Sequence, residues 1–109
     1  MTHKGTTTFV AQRASAAILL PLLGWFLWGV VSHAGAPLVE IQAWVALPIN
    51  AAFLGVLIVV GSFHMRIGLN EIIDDYIDSG TRGVFKLLNL FASFGAAALG
   101  LWSLYVLAV

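Results

Sequence analysis

The chain has 109 residues, of which 61% are hydrophobic and only 9% are Asp, Glu, Lys or Arg. A soluble domain carries roughly 25% charged residues, because water must solvate its surface, so this composition argues against a water-soluble enzyme. The net charge is zero and there is no cysteine, which also excludes a large basic surface for nucleic acid, a disulfide framework and thiolate metal sites.

Three uncharged runs divide the chain, at residues 14–39, 41–63 and 87–109. Each run is long enough for a helix to cross a hydrocarbon core, which takes about 20 residues. None shows the strict alternation typical of a membrane β-barrel strand. We therefore predict an all-α membrane protein with a single domain, 1–109, and three transmembrane helices at about 14–34, 42–76 and 84–108.

The first run has an alternative interpretation as a cleaved secretory signal, since Ala34, Gly35 and Ala36 resemble a small-residue cleavage site. Signal cores usually have about 7–15 apolar residues. The apolar stretch 14–31 is longer than that, and its length favours a transmembrane helix that is retained.

Basic residues set the expected orientation. All five either precede the first uncharged run or lie between the second and third, at Lys4, Arg13, Arg66, Arg82 and Lys86. The positive-inside rule then places the N-terminus in the cytoplasm and the C-terminus in the periplasm. Four tryptophans, typical of an interfacial aromatic belt, lie towards the predicted outer ends of the spans, at Trp25, Trp28, Trp44 and Trp102.

The second helix is expected to continue to about Tyr76, because apolar residues recur among polar ones and no proline interrupts them before the Asp78-Ser79-Gly80 stop. On this helix His64, Gly68, Glu71 and Asp75 share one face, with Gly61 one turn earlier. A histidine between two glycines leaves open space above and below its ring, which a flat macrocycle needs when an imidazole binds its iron.

The pattern around His64 also fits a histidine at the membrane boundary that bonds a carbonyl or water, and both interpretations stay open on these grounds. His3, in the polar N-terminal tail, and His33, in the outer connection between the first and second spans, are weaker ligand candidates. Because a six-coordinate haem needs two axial ligands, a haem at His64 would take its second ligand from another chain.

Two further groups have alternative explanations. The hydroxyl of Tyr76 can donate to a carbonyl beside the carboxylate of Asp75, or both residues can simply be interfacial. Arg13 can pair with a carboxylate such as a haem propionate, or its guanidinium can snorkel to the headgroups and set topology.

The run His64-x3-Gly68-x6-Asp75-Tyr76 at the end of a second span resembles the hydrophobic membrane-anchor subunit of succinate dehydrogenase, the smaller of two anchors in respiratory complex II. The Arg13-Ala14-Ser15 entry and the three-helix layout are similar as well, so the resemblance covers nearly the whole chain.

The resemblance implies a role for each matched residue. His64 is expected to be an axial ligand of haem b iron, shared with a companion cytochrome b subunit, and Arg13 to lie near the haem propionates. Tyr76 is expected to bond ubiquinone, with Asp75 supporting that site. Some members have a histidine shortly before the arginine, where this chain has the run 6–9, Thr-Thr-Thr-Phe.

The resemblance further implies partners and a location. A flavoprotein subunit and an iron–sulfur subunit would carry out succinate oxidation, so this chain would be a non-catalytic subunit in the bacterial cytoplasmic (inner) membrane. Nucleic acid is not an expected partner. The alternatives are the anchor of a fumarate reductase, and a small structural or assembly membrane protein without cofactor.

Overall fold

The computed structural model describes residues 4–109, which form four helices and no strand. The helices are α1 (Lys4–Ser32), α2 (Leu38–Ala46), α3 (Pro48–Tyr76) and α4 (Ser79–Ala108). Three of them, α1, α3 and α4, are long and apolar enough to cross a membrane. The predicted all-α fold with three membrane-spanning helices is confirmed.

The second span begins at Pro48 rather than at about 42, because a break separates α2 from α3. A proline disfavours helical geometry in the residue before it, and Leu47 is extended, with φ −60° and ψ 128°. Pro48 itself is the first residue of α3, a position where its missing N–H would have no intrahelical partner. Asn50 then donates from Nδ2 to the carbonyl of Trp44 at 2.9 Å and so ties the two helices together across the break.

The long helices extend beyond the hydrophobic stretches from which they were predicted. α1 begins at Lys4 rather than at about 14, and Pro21 lies inside it without ending it. α4 begins at Ser79, where the side chain of Asp78 accepts a hydrogen bond from the amide of Gly80 at 3.3 Å. A helix of 29 residues, such as α1 or α3, spans about 44 Å at 1.5 Å per residue, so it can project beyond a hydrocarbon core of about 30 Å.

Helix α3 is the centre of the bundle. It packs against α1, α2 and α4, while α2 also contacts α4. The two ends of the bundle differ. Helices α1 and α4 begin at one of them and α3 stops there, and we call it the charged end. The opposite end holds α2, and we call it the aromatic end.

Trp44 of α2 packs inward at the aromatic end. Its ring stacks on Trp25 of α1 with 5.3 Å between centroids, and it lies so close to Gly29 that a Cβ there would be 2.8 Å from the indole. Trp28 and Trp102 are instead 64% and 63% exposed. Two of the four tryptophans expected in an interfacial belt thus face outward, and two join the packing of α1 with α2.

The interior of the bundle is more polar than its surface. The buried hydrophobic side chains are Val45, Leu54 and Ile73, whereas the buried polar ones are Ser15, Asn50, Asn89 and Ser93. This distribution suits a chain surrounded by lipid, because polar groups gain by bonding one another between helices. Ser15 is the buried polar residue next to the predicted site.

Candidate functional site around His64

His64 lies on the face of α3 that packs against α1. Around it, the contacts run in opposite directions along the two helices: Leu19 lies over Gly61, Ser15 bonds His64, and Gln12 lies over Gly68. The two helices are therefore antiparallel here, and three positions of α1 separated by one turn meet three positions of α3. This register brings a buried hydroxyl to the imidazole.

The closest polar contact of His64 is with Ser15. The distance between Ser15 Oγ and His64 Nδ1 is 2.7 Å, and Ser15 Oγ also donates to the carbonyl of Gln12 at 3.0 Å. Nε2 of His64 makes no hydrogen bond within residues 4–109. Every buried side-chain nitrogen or oxygen in that range has a hydrogen-bond partner, so Nε2 is not a buried atom. Nε2 therefore reaches the surface of this chain, where a group from outside can meet it.

Gly61 and Gly68, on either side of His64 in sequence, each face a side chain of α1. A Cβ on Gly61 would lie 3.9 Å from Leu19 Cδ2, and a Cβ on Gly68 would lie 3.9 Å from Gln12 Nε2. Helix α1 thus lies against both glycines, and the expected open space above and below the ring stays a prediction. Packing with α1 does not require glycine at either position, since 3.9 Å is an ordinary van der Waals contact.

These observations fit an imidazole that ligates a metal through Nε2. A ligating histidine usually bonds a second partner through its other ring nitrogen, as His64 does through Nδ1. Within the described residues no three His, Asp or Glu side chains converge on a metal site. A metal ion bound at Nε2 of His64 would need its other ligands from outside the described residues.

The other two histidines are placed differently. Nδ1 of His33 donates to the carbonyl of Gly29 at 2.8 Å, a carbonyl that also accepts from the backbone N–H of His33, and the His33 ring lies 5.2 Å from that of Trp44. These contacts belong to the aromatic end, away from His64. His3 lies outside the described residues.

Arg13 is exposed and does not share the Ser15 face of α1. Its guanidinium lies over the ring of Phe9, 5.1 Å from the centroid, which is a cation–π contact. Two residues of helix separate it from Ser15, about 200° around the axis. Arg13 thus lies near the level of His64 on α1, with its side chain directed along the outer surface.

Asp75 and Tyr76 lie at the end of α3 and are both exposed, Tyr76 by 82%. Tyr76 is 12 residues beyond His64, or about 18 Å along the axis. Neither side chain bonds another of the described residues. The structure therefore presents this acid and hydroxyl to the surroundings at the charged end.

The neighbouring Asp74 forms ion pairs with residues of α4. Lys86 Nζ lies 2.7 Å and Arg82 Nε 3.8 Å from Asp74 Oδ1. Arg82 also donates to the carbonyls of Ile77, at 3.0 Å, and Asp74, at 3.3 Å. These contacts join the start of α4 to the last turn of α3 and fix the segment that carries Asp75 and Tyr76.

A polar cavity of about 470 Å³ lies at the charged end between α1, α3 and α4. Its polar lining comprises Thr8, Arg66, Asn70, Glu71, Asp74 and Lys86. Asp75 and Tyr76 are not among its lining residues, although the adjacent Asp74 is. A larger cavity of about 520 Å³ at the aromatic end is lined mainly by apolar side chains.

The comparisons with known proteins identify the family. Residues 1–106 match the family model described as succinate dehydrogenase/fumarate reductase transmembrane subunit. The chain belongs to this family. It is also similar to the succinate dehydrogenase hydrophobic membrane anchor subunit of Paracoccus denitrificans, with 26% identity over 102 residues, which cover 94% of this chain and 79% of the relative. No solved structure matches the chain significantly.

Membership confirms the resemblance that the sequence motifs indicated. The chain is a multi-pass membrane protein, and it is a transmembrane subunit that associates with other subunits of a succinate dehydrogenase or fumarate reductase.

Proposed function

We propose that this chain is the membrane-anchor subunit of a succinate dehydrogenase and that His64 is one axial ligand of a haem b. The family match over residues 1–106 supports the first part, and the surface-reaching Nε2 of His64 carries the second. Haem b, when bound, supplies a one-electron redox centre inside the membrane. The other axial ligand belongs to a companion cytochrome b subunit.

Arg13 is proposed to bind the haem propionates. An arginine forms two parallel charge-assisted hydrogen bonds with a carboxylate, and Arg13 is exposed on the helix that packs over His64. Binding a propionate would exchange the weak contact with the Phe9 ring for a stronger interaction. The flexible side chain allows this movement without a change in α1.

Tyr76 and Asp75 are proposed to form this chain's part of a ubiquinone site. The phenol hydroxyl can donate to a quinone carbonyl, and the adjacent carboxylate can orient polar groups beside it. Both side chains are exposed at the charged end of α3, so partner subunits would complete the site. A quinone there can keep its apolar tail in lipid while its headgroup meets these donors.

The proposed assembly also contains an iron–sulfur subunit and a flavoprotein, on the cytoplasmic side of a bacterial inner membrane. The five basic residues at the charged end support that orientation. We favour succinate oxidation over fumarate reduction because the matched relative is named for the former. The subunit would then help electrons to pass from the iron–sulfur subunit to ubiquinone.

The haem proposal is tested with His64→Ala in the purified complex. The reduced-minus-oxidised visible spectrum is expected to lose the haem b bands, because the iron loses one of its two ligands. His33→Ala is the matched control and should retain them, since His33 bonds Gly29 at the other end of the bundle. A wild-type haem content in His64→Ala would contradict the proposal.

The partner proposal is tested by purification through a tag on this chain. A flavoprotein and an iron–sulfur protein are expected to copurify. A tagged chain that is recovered from its native membranes without either subunit and without haem would instead support a small structural membrane protein.

A further inference from the structure

Ser15 has two hydrogen-bond contacts through a single hydroxyl. It is 4% exposed, with Oγ 3.0 Å from the Gln12 carbonyl oxygen and 2.7 Å from His64 Nδ1. A hydroxyl has one hydrogen to donate and lone pairs to accept with. The two contacts therefore cannot both be donated by Ser15.

The chemistry of the two partners determines the direction of each bond. A carbonyl oxygen can only accept, so the 3.0 Å contact requires the Ser15 hydrogen. If Ser15 uses its hydrogen for that contact, Nδ1–H of His64 donates the 2.7 Å hydrogen bond. In this tautomer Nε2 carries the lone pair that a metal ion requires.

The opposite arrangement loses a hydrogen bond and leaves the imidazole unable to bind a metal through Nε2. If Ser15 donated to Nδ1, the Gln12 carbonyl and Oγ would face each other at 3.0 Å with no hydrogen between them. The proton of the neutral imidazole would then lie on Nε2 and block metal ligation. The arrangement of Gln12, Ser15 and His64 thus favours the competent tautomer before any metal binds.

We propose that Ser15 is a positioning residue that holds His64 in the Nδ1–H tautomer and directs Nε2 away from α1. This inference rests on the proposed haem ligation by His64. A hydrogen-bond acceptor at the other ring nitrogen of a ligating histidine makes the ligand more basic, and a more basic ligand stabilises ferric over ferrous iron. Loss of the Ser15 hydroxyl should therefore raise the midpoint potential of the haem.

An ordinary role for Ser15 would be limited to α1. Serine in membrane helices often bonds a carbonyl in the preceding turn, and the Gln12 contact alone has this form. Such a role would leave the tautomer of His64 and the haem potential independent of the hydroxyl. The two roles therefore differ in measurable properties of His64.

The first measurement uses the full chain without haem, reconstituted in lipid, with ¹⁵N-labelled histidine. Side-chain ¹⁵N shifts of His64 should report mainly the Nδ1–H tautomer in the wild type and in Ser15→Thr, which keeps the hydroxyl. Ser15→Ala should show a mixture of both tautomers. Identical tautomer populations in the wild type and Ser15→Ala would overturn the proposal.

The second measurement is redox titration of the haem in the assembled complex. Ser15→Ala should raise the midpoint potential and shift the low-spin ferric EPR signal, while Ser15→Thr should restore both values. Ser15→Cys, which keeps a side chain of similar size with a weak acceptor, should change both in the same direction as Ser15→Ala and serves if the alanine variant does not assemble. Wild-type values in the variants that lack the hydroxyl would overturn the positioning role.

The His64→Ala variant separates this inference from the proposed function. If His64→Ala loses haem and the Ser15 variants keep the wild-type potential, His64 remains the ligand and the positioning role of Ser15 is overturned. Retention of haem in His64→Ala would overturn the ligand assignment and the Ser15 inference with it.

Discussion

Asn89 of α4 donates a hydrogen bond from Nδ2 to Oδ1 of Asn70 on α3, at 2.9 Å. The same nitrogen donates to the carbonyl of Arg66 at 2.8 Å, and Oδ1 of Asn89 accepts from Ser93 Oγ at 3.3 Å. Asn89 is 5% exposed, so the whole amide is used inside the α3–α4 interface. These bonds fix how far along α3 the fourth helix lies.

Replacement of Asn89 by leucine should destabilise the bundle. The variant loses two interhelical hydrogen bonds and leaves Oδ1 of Asn70 without its donor, which should cost about 1–2 kcal/mol in the free energy of unfolding. Unfolding by SDS in mixed micelles measures this change. Ser93→Ala removes only the 3.3 Å bond to Asn89 and should cost less. An Asn89→Leu variant as stable as the wild type would show that apolar packing between α3 and α4, and not this network, sets the register.

Gly100 is expected to be required where α4 meets α3. A Cβ there would lie 2.8 Å from Cγ2 and 3.3 Å from Cγ1 of Ile58, and the branched side chain of Ile58 has little freedom to rotate away. Gly100→Ala should therefore push the helices apart and lower the free energy of unfolding by about 1–3 kcal/mol.

The matched control for Gly100 is Gly95 on the same helix. A Cβ on Gly95 would meet no atom within 4 Å, so Gly95→Ala should leave stability unchanged or raise it by up to about 1 kcal/mol. Equal effects of the two alanine substitutions in the same SDS titration would refute the close-packing explanation.

Tyr76→Phe tests the proposed quinone site. The variant keeps the ring and removes the hydroxyl, so succinate–ubiquinone reduction should fall about 3–10-fold, the effect of one hydrogen bond. Succinate oxidation by an artificial dye should continue at the wild-type rate, because that reaction does not use the membrane site. Comparison of the two assays in membranes measures the difference.

Tyr105→Phe is the control for this experiment. Tyr105 is also exposed but lies near the end of α4, where its ring stacks on Trp102 with 5.7 Å between centroids. It should show wild-type activity with both acceptors. A Tyr76→Phe variant with the same profile as Tyr105→Phe would remove the Tyr76 hydroxyl from the quinone site.

Much of the fold follows from the distribution of charge and apolar residues. Three uncharged runs are sufficient to place α1, α3 and α4, because only a helix can satisfy its own backbone in lipid. The break at Leu47 could have been predicted as well, since Pro48 restricts the backbone of the residue before it. The apolar residues on both sides of Pro48 nevertheless favoured one continuous helix, and that choice was wrong at this position.

The partner of His64 could not be predicted in the same way. Ser15 belongs to the Arg13-Ala14-Ser15 motif, but nothing in the sequence indicates which face of α1 meets α3. A helix in lipid is apolar on every side, so it lacks the stripe that marks the buried face of a soluble helix. Asp74 was likewise not distinguished from Asp75, although only Asp74 is paired with Lys86.

The sequence by itself determined that this chain lies in a membrane, that it crosses three times as helices, and that its ionisable residues concentrate at one end. These follow from the cost of placing charge and unpaired backbone groups in hydrocarbon. Only the tertiary structure decided that Ser15 meets His64 and that Asn89 meets Asn70. Contacts of this kind depend on how each helix is rotated and shifted against its neighbour, and close packing along the entire interface sets both.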